Sequence, residues 1–161
     1  MKRTQRGFTL IELIMVIVIL GILSAFALPK FADLSSSAED ASVEGAQASV
    51  RSSAAIAHAQ ALAENKTTGT ITLEGTTITL ANGYPDADSI GVAAGLDGYQ
   101  LIYDATPAPA ATQVIIAASP ATAGKGCVKY VEATTGAPAI TLGSLGVGSD
   151  TVAGTADDTC I

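Results

Sequence analysis

The sequence predicts an α+β protein with a long N-terminal α-helix over about residues 8–64. The C-terminal half of this helix is expected to pack on a small antiparallel β-sheet, with a disulfide loop near the C-terminus. The apolar run from Phe8 to Leu28 carries one charge, Glu12, and is long enough to span a bilayer. An Ala-rich segment of helical periodicity follows, and then several short β-branched segments separated by turn residues.

Charge along the chain indicates an acidic globular domain on an apolar stalk. Three of the eight basic residues, Lys2, Arg3 and Arg6, precede all fifteen acidic residues. Non-specific nucleic-acid binding depends on Lys and Arg neutralising phosphates, so the acidic body argues against a nucleic-acid partner. Basic residues before an apolar span predict a cytoplasmic N-terminus and an exported globular domain.

The predicted helix continues well beyond the apolar run. Gly21 and Pro29 are its expected points of flexibility, because Gly has low helix propensity and Pro removes an internal hydrogen bond. Beyond them, apolar residues three or four apart predict one buried face. That face comprises Val43, Ala46, Val50, Ala54, Ala57 and Ala61. Asn65 to Gly69 is expected to end the helix, including an Asn-Lys-Thr glycosylation sequon that we interpret as a loop.

The β-rich part of the chain begins with a predicted hairpin in which Thr-Ile-Thr-Leu occurs twice. Alternating residues and intervening turn signals predict the strands. The predicted strands are 70–73, 77–80, 99–103, 113–118, 127–133 and 139–142. Asn82 to Asp86 is predicted to be a turn from its composition.

The two cysteines, Cys127 and Cys160, lie on the predicted exported side. An even pair in an oxidising compartment favours a structural disulfide over a metal or redox site. His58 lies on the Ala-rich helix with no Ser, Cys or acidic partner at catalytic spacing, so a packed or solvated histidine is the better interpretation. No phosphate loop, zinc pattern or catalytic carboxylate pair is present, and neither enzymatic activity nor a cofactor is predicted.

Glu12 is the residue that a simple membrane anchor does not explain. A carboxylate at the centre of a membrane helix costs about 2.5 to 3.5 kcal/mol on insertion scales, so it requires a partner. An ordinary secretory signal is an alternative, because Ala25 to Ala27 forms an A-x-A-like cleavage site. The apolar run is longer than the usual signal core of about 7 to 15 residues, which argues against that alternative.

The segment from Arg6 to Glu12, Arg-Gly-Phe-Thr-Leu-Ile-Glu, resembles the processing site of type IV pilins and the related pseudopilins. The short basic leader, the Gly before Phe and the Gly and Pro in the helix fit the same family. The segment from Cys127 to Ala133 is similar to pilins of the mannose-sensitive haemagglutinin type.

This resemblance implies how the chain is processed and assembled. A membrane peptidase would cut between Gly7 and Phe8 and methylate the new Phe8 amine. Residues 1–7 would then be a leader, 8–35 a membrane and filament-core helix, and 36–161 the globular pilin domain. The Glu12 carboxylate would pair with the Phe8 amine of a neighbouring subunit. The implied partners are copies of this chain, the peptidase and methyltransferase, the inner-membrane assembly machinery and the membrane itself.

The expected function is therefore a structural subunit of a bacterial type IV pilus used in adhesion or motility. The precursor would span the inner membrane once, and the fibre would lie on the cell surface. A pseudopilin of a type II secretion system and a membrane-anchored binding module are the alternatives. The resemblance to pseudopilins also raises calcium binding by the tail at Asp150, Asp157 and Asp158, but the spacing fits no EF-hand, so no metal site is predicted.

Overall fold

The computed structural model describes residues 7–104, 112–148, 154 and 158–161. It divides into two compact units, Met1–Ala38 and Glu39–Ile161. The helices are α1 (Leu10–Ala63) and α2 (Ile90–Ala93). The strands are β1 (Gly69–Leu73), β2 (Thr76–Ala81), β3 (Tyr84–Pro85), β4 (Tyr99–Tyr103), β5 (Gln113–Ala118), β6 (Gly126–Val131), β7 (Ala139–Gly146) and β8 (Thr159–Cys160).

The first unit is the apolar start of α1. None of the described side chains between Gly7 and Leu34 is buried. The predicted flexibility residues, Gly21 and Pro29, both lie within α1. By length and composition this part of the helix could cross a membrane.

In the second unit, α1 packs its predicted face against the strands. All six residues of that face are 3% exposed or less, so the prediction from helical periodicity is confirmed. Val43, Ala46, Val50 and Ala54 join the larger core cluster, which includes Val114, Ile116, Val128 and Tyr130 of the central strands. Ala57 and Ala61 pack instead with Ile71, Ile78 and Leu80 of β1 and β2.

The C-terminal end of α1 is capped by the backbone. Asn65 takes a left-handed conformation with φ 52°. The N–H of Asn65 donates to the Leu62 carbonyl at 3.1 Å, and the N–H of Lys66 donates to the Ala61 carbonyl at 2.8 Å. These two bonds form a Schellman motif, which satisfies carbonyls that the helix leaves open and fixes the direction of the chain after it.

The strands form two antiparallel sheets, with orders β1-β2-β3 and β4-β5-β6-β7-β8. The prediction of an antiparallel sheet is confirmed, and its strands are divided between the two. In the first sheet, two-residue turns at Glu74–Gly75 and Asn82–Gly83 have positive φ at both residues, as hairpin turns favour. The segment predicted as a turn thus includes β3, which pairs with the end of β2.

The five-stranded sheet has cores on both faces. One face packs on α1, and the other holds Ile102, Ile115, Ala117 and Leu145 together with both cysteines. Cys127 and Cys160 are joined by a disulfide with a Cα–Cα distance of 6.0 Å, which confirms the predicted bridge. Because β7 pairs with β6 on one side and β8 on the other, the bridge links strands that are not neighbours.

Candidate processing and assembly segment

The first turn of α1 contains a reciprocal pair of hydrogen bonds between Thr9 and Glu12. The backbone N–H of Thr9 donates to Glu12 Oε2 at 2.8 Å, and the Thr9 hydroxyl donates to the same oxygen at 2.9 Å. In return, the backbone N–H of Glu12 donates to Thr9 Oγ1 at 3.3 Å. With the helix beginning at Leu10, this arrangement is a capping box, in which Thr9 is the N-cap and Glu12 the third helical residue.

The capping box gives Glu12 a partner within its own chain. The carboxylate also lies at the positive end of the helix dipole, where a negative charge is favourable. Cleavage before Phe8 would leave the Thr9 amide intact but would add an ammonium group one residue away. That group would raise the positive charge at the helix start, and Glu12 is the acidic residue in the first turn that could offset it.

The predicted scissile bond between Gly7 and Phe8 lies outside the helix. Gly7, Phe8 and Thr9 have no regular secondary structure, and Phe8 is 90% exposed. A Cβ added at Gly7 would meet no atom within 4 Å. The bond is therefore accessible in this chain, as a peptidase that binds an extended segment would require.

Thr9 is the residue of this segment that the sequence analysis missed. The pattern Thr9-Leu10-Ile11-Glu12 is a Thr-x-x-Glu motif directly before an apolar run, which is a recognisable start signal for a helix. The structure thus assigns Glu12 an intrachain contact in addition to the proposed contact with a neighbour.

His58, predicted to be a packed or solvated histidine, is partly buried and packed. Its ring stacks on Tyr84 with ring centroids 4.0 Å apart. Its Nδ1 lies 2.8 Å from the Gly83 carbonyl oxygen and forms a hydrogen bond with it. The histidine therefore joins α1 to the turn before β3, which is a structural role.

Of the tail residues considered for calcium, Asp150 and Asp157 lie outside the described residues. Asp158 is buried, and its carboxylate accepts hydrogen bonds from the backbone N–H groups of Gly148 and Gly154. Within the described ranges, no group of three or more His, Cys, Asp or Glu side chains could hold a metal ion. The described contacts of Asp158 organise the backbone around β8.

The chain is similar to known proteins over part of its length. Residues 2–28 match the family described as the prokaryotic N-terminal methylation motif. The type IV narrow pilus major component PilA5 of Thermus thermophilus is 57% identical over 56 residues, which is 35% of this chain and 48% of PilA5. The type IV major fimbrial protein FimA of Dichelobacter nodosus is 61% identical over 33 residues, 20% of this chain and 21% of FimA.

The motif and these relatives show that the chain is similar to type IV pilins over part of its length, as the segment from Arg6 to Glu12 predicted. The two relatives are a pilus major component and a major fimbrial protein. The chain spans about half the length of PilA5 and about a fifth of FimA over the matched residues. No solved structure matches this chain significantly.

Proposed function

We propose that this chain is a structural subunit of a type IV pilus and polymerises through the apolar helix of residues 8–35. The observation that carries the proposal is the combination of an unburied apolar helix with a carboxylate in its first turn. Exposed apolar surface of this extent requires cover, either from lipid or from other helices. A subunit that moves from a membrane into a helical fibre core meets both kinds of cover in succession.

Processing is the first step of the proposed pathway. The prepilin peptidase would cut between Gly7 and Phe8 and methylate the Phe8 amine. The accessible, non-helical backbone at Gly7 supports this assignment, as does the methylation motif over residues 2–28. Before cleavage the precursor would span the inner membrane once, with its N-terminus in the cytoplasm.

Assembly is the second step, and Glu12 is its proposed docking residue. In lipid, the carboxylate keeps its hydrogen bonds to Thr9, which lower the cost of burying it. In the fibre, the methylated Phe8 ammonium of a neighbouring subunit would add an opposite charge. A buried charge that gains such a partner is strongly favoured over one that lacks it. The pairing would therefore drive docking and set the axial register of the incoming subunit.

The proposed fibre lies on the bacterial surface and serves adhesion or motility. Its partners are other copies of this chain and the inner-membrane assembly machinery. The relatives PilA5 and FimA are major pilus components, which favours a pilus over the alternative of a secretion pseudopilus. A membrane-anchored binding module would use Glu12 only to cap its own helix.

The test is electron microscopy of material sheared from the cell surface, with N-terminal sequencing of its main component. We expect fibres whose subunit begins at methylated Phe8. Loss of the fibres on deletion of the gene is the matched control. A secretion defect without surface fibres would favour the pseudopilin, and mature protein never found in polymers would favour the binding module.

A further inference from the structure

The two sheets of the second unit present open edges at β1 and β7. Strand β1 pairs only with β2, so its other side is an edge. Strand β7 is eight residues long, but β8 pairs with it only at Leu145 and Gly146. Neither β1 nor β7 contains a charged residue, and both are rich in β-branched and apolar side chains. Such edges are templates for pairing with another chain.

The turn between β1 and β2 determines which residues of β1 point their backbone N–H and C=O groups away from β2. A two-residue turn at Glu74–Gly75 makes Leu73 and Thr76 a hydrogen-bonded pair, and such pairs alternate along an antiparallel ladder. The N–H and C=O groups of Thr70 and Thr72 therefore point away from β2. Thr79, opposite Thr70, agrees with this pattern, because its N–H and C=O bond to Ser89 and Asp86 on the far side of β2.

Lys66 lies on this open edge. Its Nζ donates to the Thr70 carbonyl at 2.9 Å and forms an ion pair with Glu64 at 2.8 Å. The Schellman motif at the end of α1 fixes the backbone of Lys66, so the position of this side chain follows from the helix cap. A strand approaching β1 would have to displace the Lys66 ammonium group from two partners, the Thr70 carbonyl and the Glu64 carboxylate.

The same reasoning applies to β7. Ser144 exchanges backbone hydrogen bonds with Ile161 on the side away from β6. By alternation, Leu142 and Ile140 present their backbone groups to the same side. Arg51 of α1 donates from Nη2 to the Ile140 carbonyl at 3.1 Å. The edge is thus covered at one end by the residues around β8 and at the other by Arg51, with Leu142 between them.

We propose that Lys66 and Arg51 close the outward edges of β1 and β7 to strand addition, so that copies of this chain do not pair through these two strands. Two of the five basic residues that follow Gly7 serve this purpose. A basic side chain blocks an edge in two ways: it occupies a carbonyl acceptor, and it places a charge that a second uncharged strand would have to desolvate. Closure of the edges does not rest on the proposed function.

The test uses the full-length chain in non-ionic detergent micelles, which cover the apolar helix. The double variant Lys66→Met, Arg51→Met keeps the aliphatic stems and removes both donors. Lys129→Met removes a positive charge from the central strand β6 and is the matched control. Sedimentation velocity measures association, and hydrogen exchange at the amides of Thr72 and Leu142 reports pairing at each edge.

We expect the double variant to associate at a concentration about fivefold to tenfold lower than the wild type, since one net hydrogen bond changes an equilibrium by about that factor. The Thr72 and Leu142 amides should become protected in the associated species. Adding Thr72→Lys should reverse the effect at β1, because it places a new charge on that strand. Association no stronger than that of Lys129→Met, or association without protection of these amides, overturns the proposal.

Folding of the variants is checked by circular dichroism. If the double variant does not fold, Lys66→Met alone decides the question, because the Lys66 side chain is 44% exposed and makes only surface contacts. The single variant is then expected to protect Thr72 and leave Leu142 unchanged. Fibre formation is not measured in this experiment, so its result is independent of whether the chain builds a pilus.

Discussion

The carboxylate of Glu12 and the backbone of Thr9 lie 2.8 Å apart and hold the first turn of α1. This contact is a role of Glu12 within its own helix, which depends on hydrogen bonding and is shared with Thr9. The role that we propose for Glu12 toward a neighbouring subunit depends instead on its negative charge.

Replacement of Glu12 by Gln tests the charge. The variant should insert, be cleaved and fold, yet yield few fibres, because an amide keeps the shape but does not pair with an ammonium group. The measurement is fibre yield against cleaved subunit in the membrane, in a strain with no other pilin. Fibres at wild-type abundance would remove the assembly role.

The matched control is Thr9→Val, which keeps the carboxylate and removes the N-cap hydroxyl. Loss of an N-cap costs about 1 kcal/mol of helix stability, so this variant should assemble nearly as well as the wild type. An equal loss of fibres in both variants would show that capping, and not charge, is the requirement.

Replacement of Gly7 by Leu tests processing. A Cβ added at Gly7 meets no described atom within 4 Å, so we expect any defect to arise where the peptidase binds the site. We expect full-length Gly7→Leu precursor to accumulate in the membrane and fibres to be absent. The Gly7→Ala variant should be cut more readily than the Gly7→Leu variant. Mass spectrometry of the membrane fraction measures both. If the Gly7→Leu precursor were still cut to a mature protein that begins at Phe8, the prediction would be contradicted.

Removal of the disulfide tests how β8 is held. The double variant Cys127→Ser, Cys160→Ser should lose about 2 to 5 kcal/mol of stability, as small exported domains commonly do. The two-residue strand β8 should then become a site of protease cleavage. Thermal unfolding and limited proteolysis are the measurements. Two titratable thiols in the unreduced, native wild type would rule out the bridge in solution.

The pH dependence of stability should depend in part on Glu132. Partial burial raises the pKa of its carboxyl group, nearby Asp86, Asp104 and Asp88 raise it further, and a hydrogen bond from the Ala87 backbone opposes them. A raised pKa means that folding favours the protonated form. Its contribution is present below the ordinary value of 4.5 and is lost as the pH rises through the higher folded value.

Glu132→Gln should therefore raise the melting temperature at pH 7, and the gain should shrink as the pH falls toward 4.5. Glu44→Gln, a solvent-exposed change on α1, controls for the loss of one charge. Melting curves of the full-length chain in detergent at several pH values decide the matter. A gain that is constant with pH would show that titration of Glu132 is not its cause.

Local patterns predicted most of this fold. The buried face of α1 follows from residues three or four apart. The bounds of β4 and β5 agree with the prediction because each is a short run of apolar and aromatic residues bounded by turn residues. The two-residue strands β3 and β8 were missed, since each exists only through its partner strand. The helical period predicted which face of α1 is buried, but it could not predict that this face packs on two separate sheets.

The functional residues divide in the same way. The roles of Gly7, Phe8 and Glu12 are predictions from a pattern that is contiguous in the sequence, and the capping role of Thr9 could have been found from the Thr-x-x-Glu motif. The roles proposed for Lys66 and Arg51 could not have been predicted, because they depend on which strand edges the tertiary structure leaves open. Lys66 reaches β1 through a helix cap, and Arg51 reaches a strand 89 residues further along the chain.

The order of strands in space repeats their order along the chain in both sheets. Each strand after the first of its sheet therefore meets its partner as soon as it is synthesised or exported, and no sheet must wait for a distant segment. Chains dominated by such local pairing close short loops and fold quickly. Cys160 follows β4 to β7 in the chain, so the disulfide can form only after the strands that it fastens have been made. The second unit can therefore build its sheets strand by strand, from α1 toward β8.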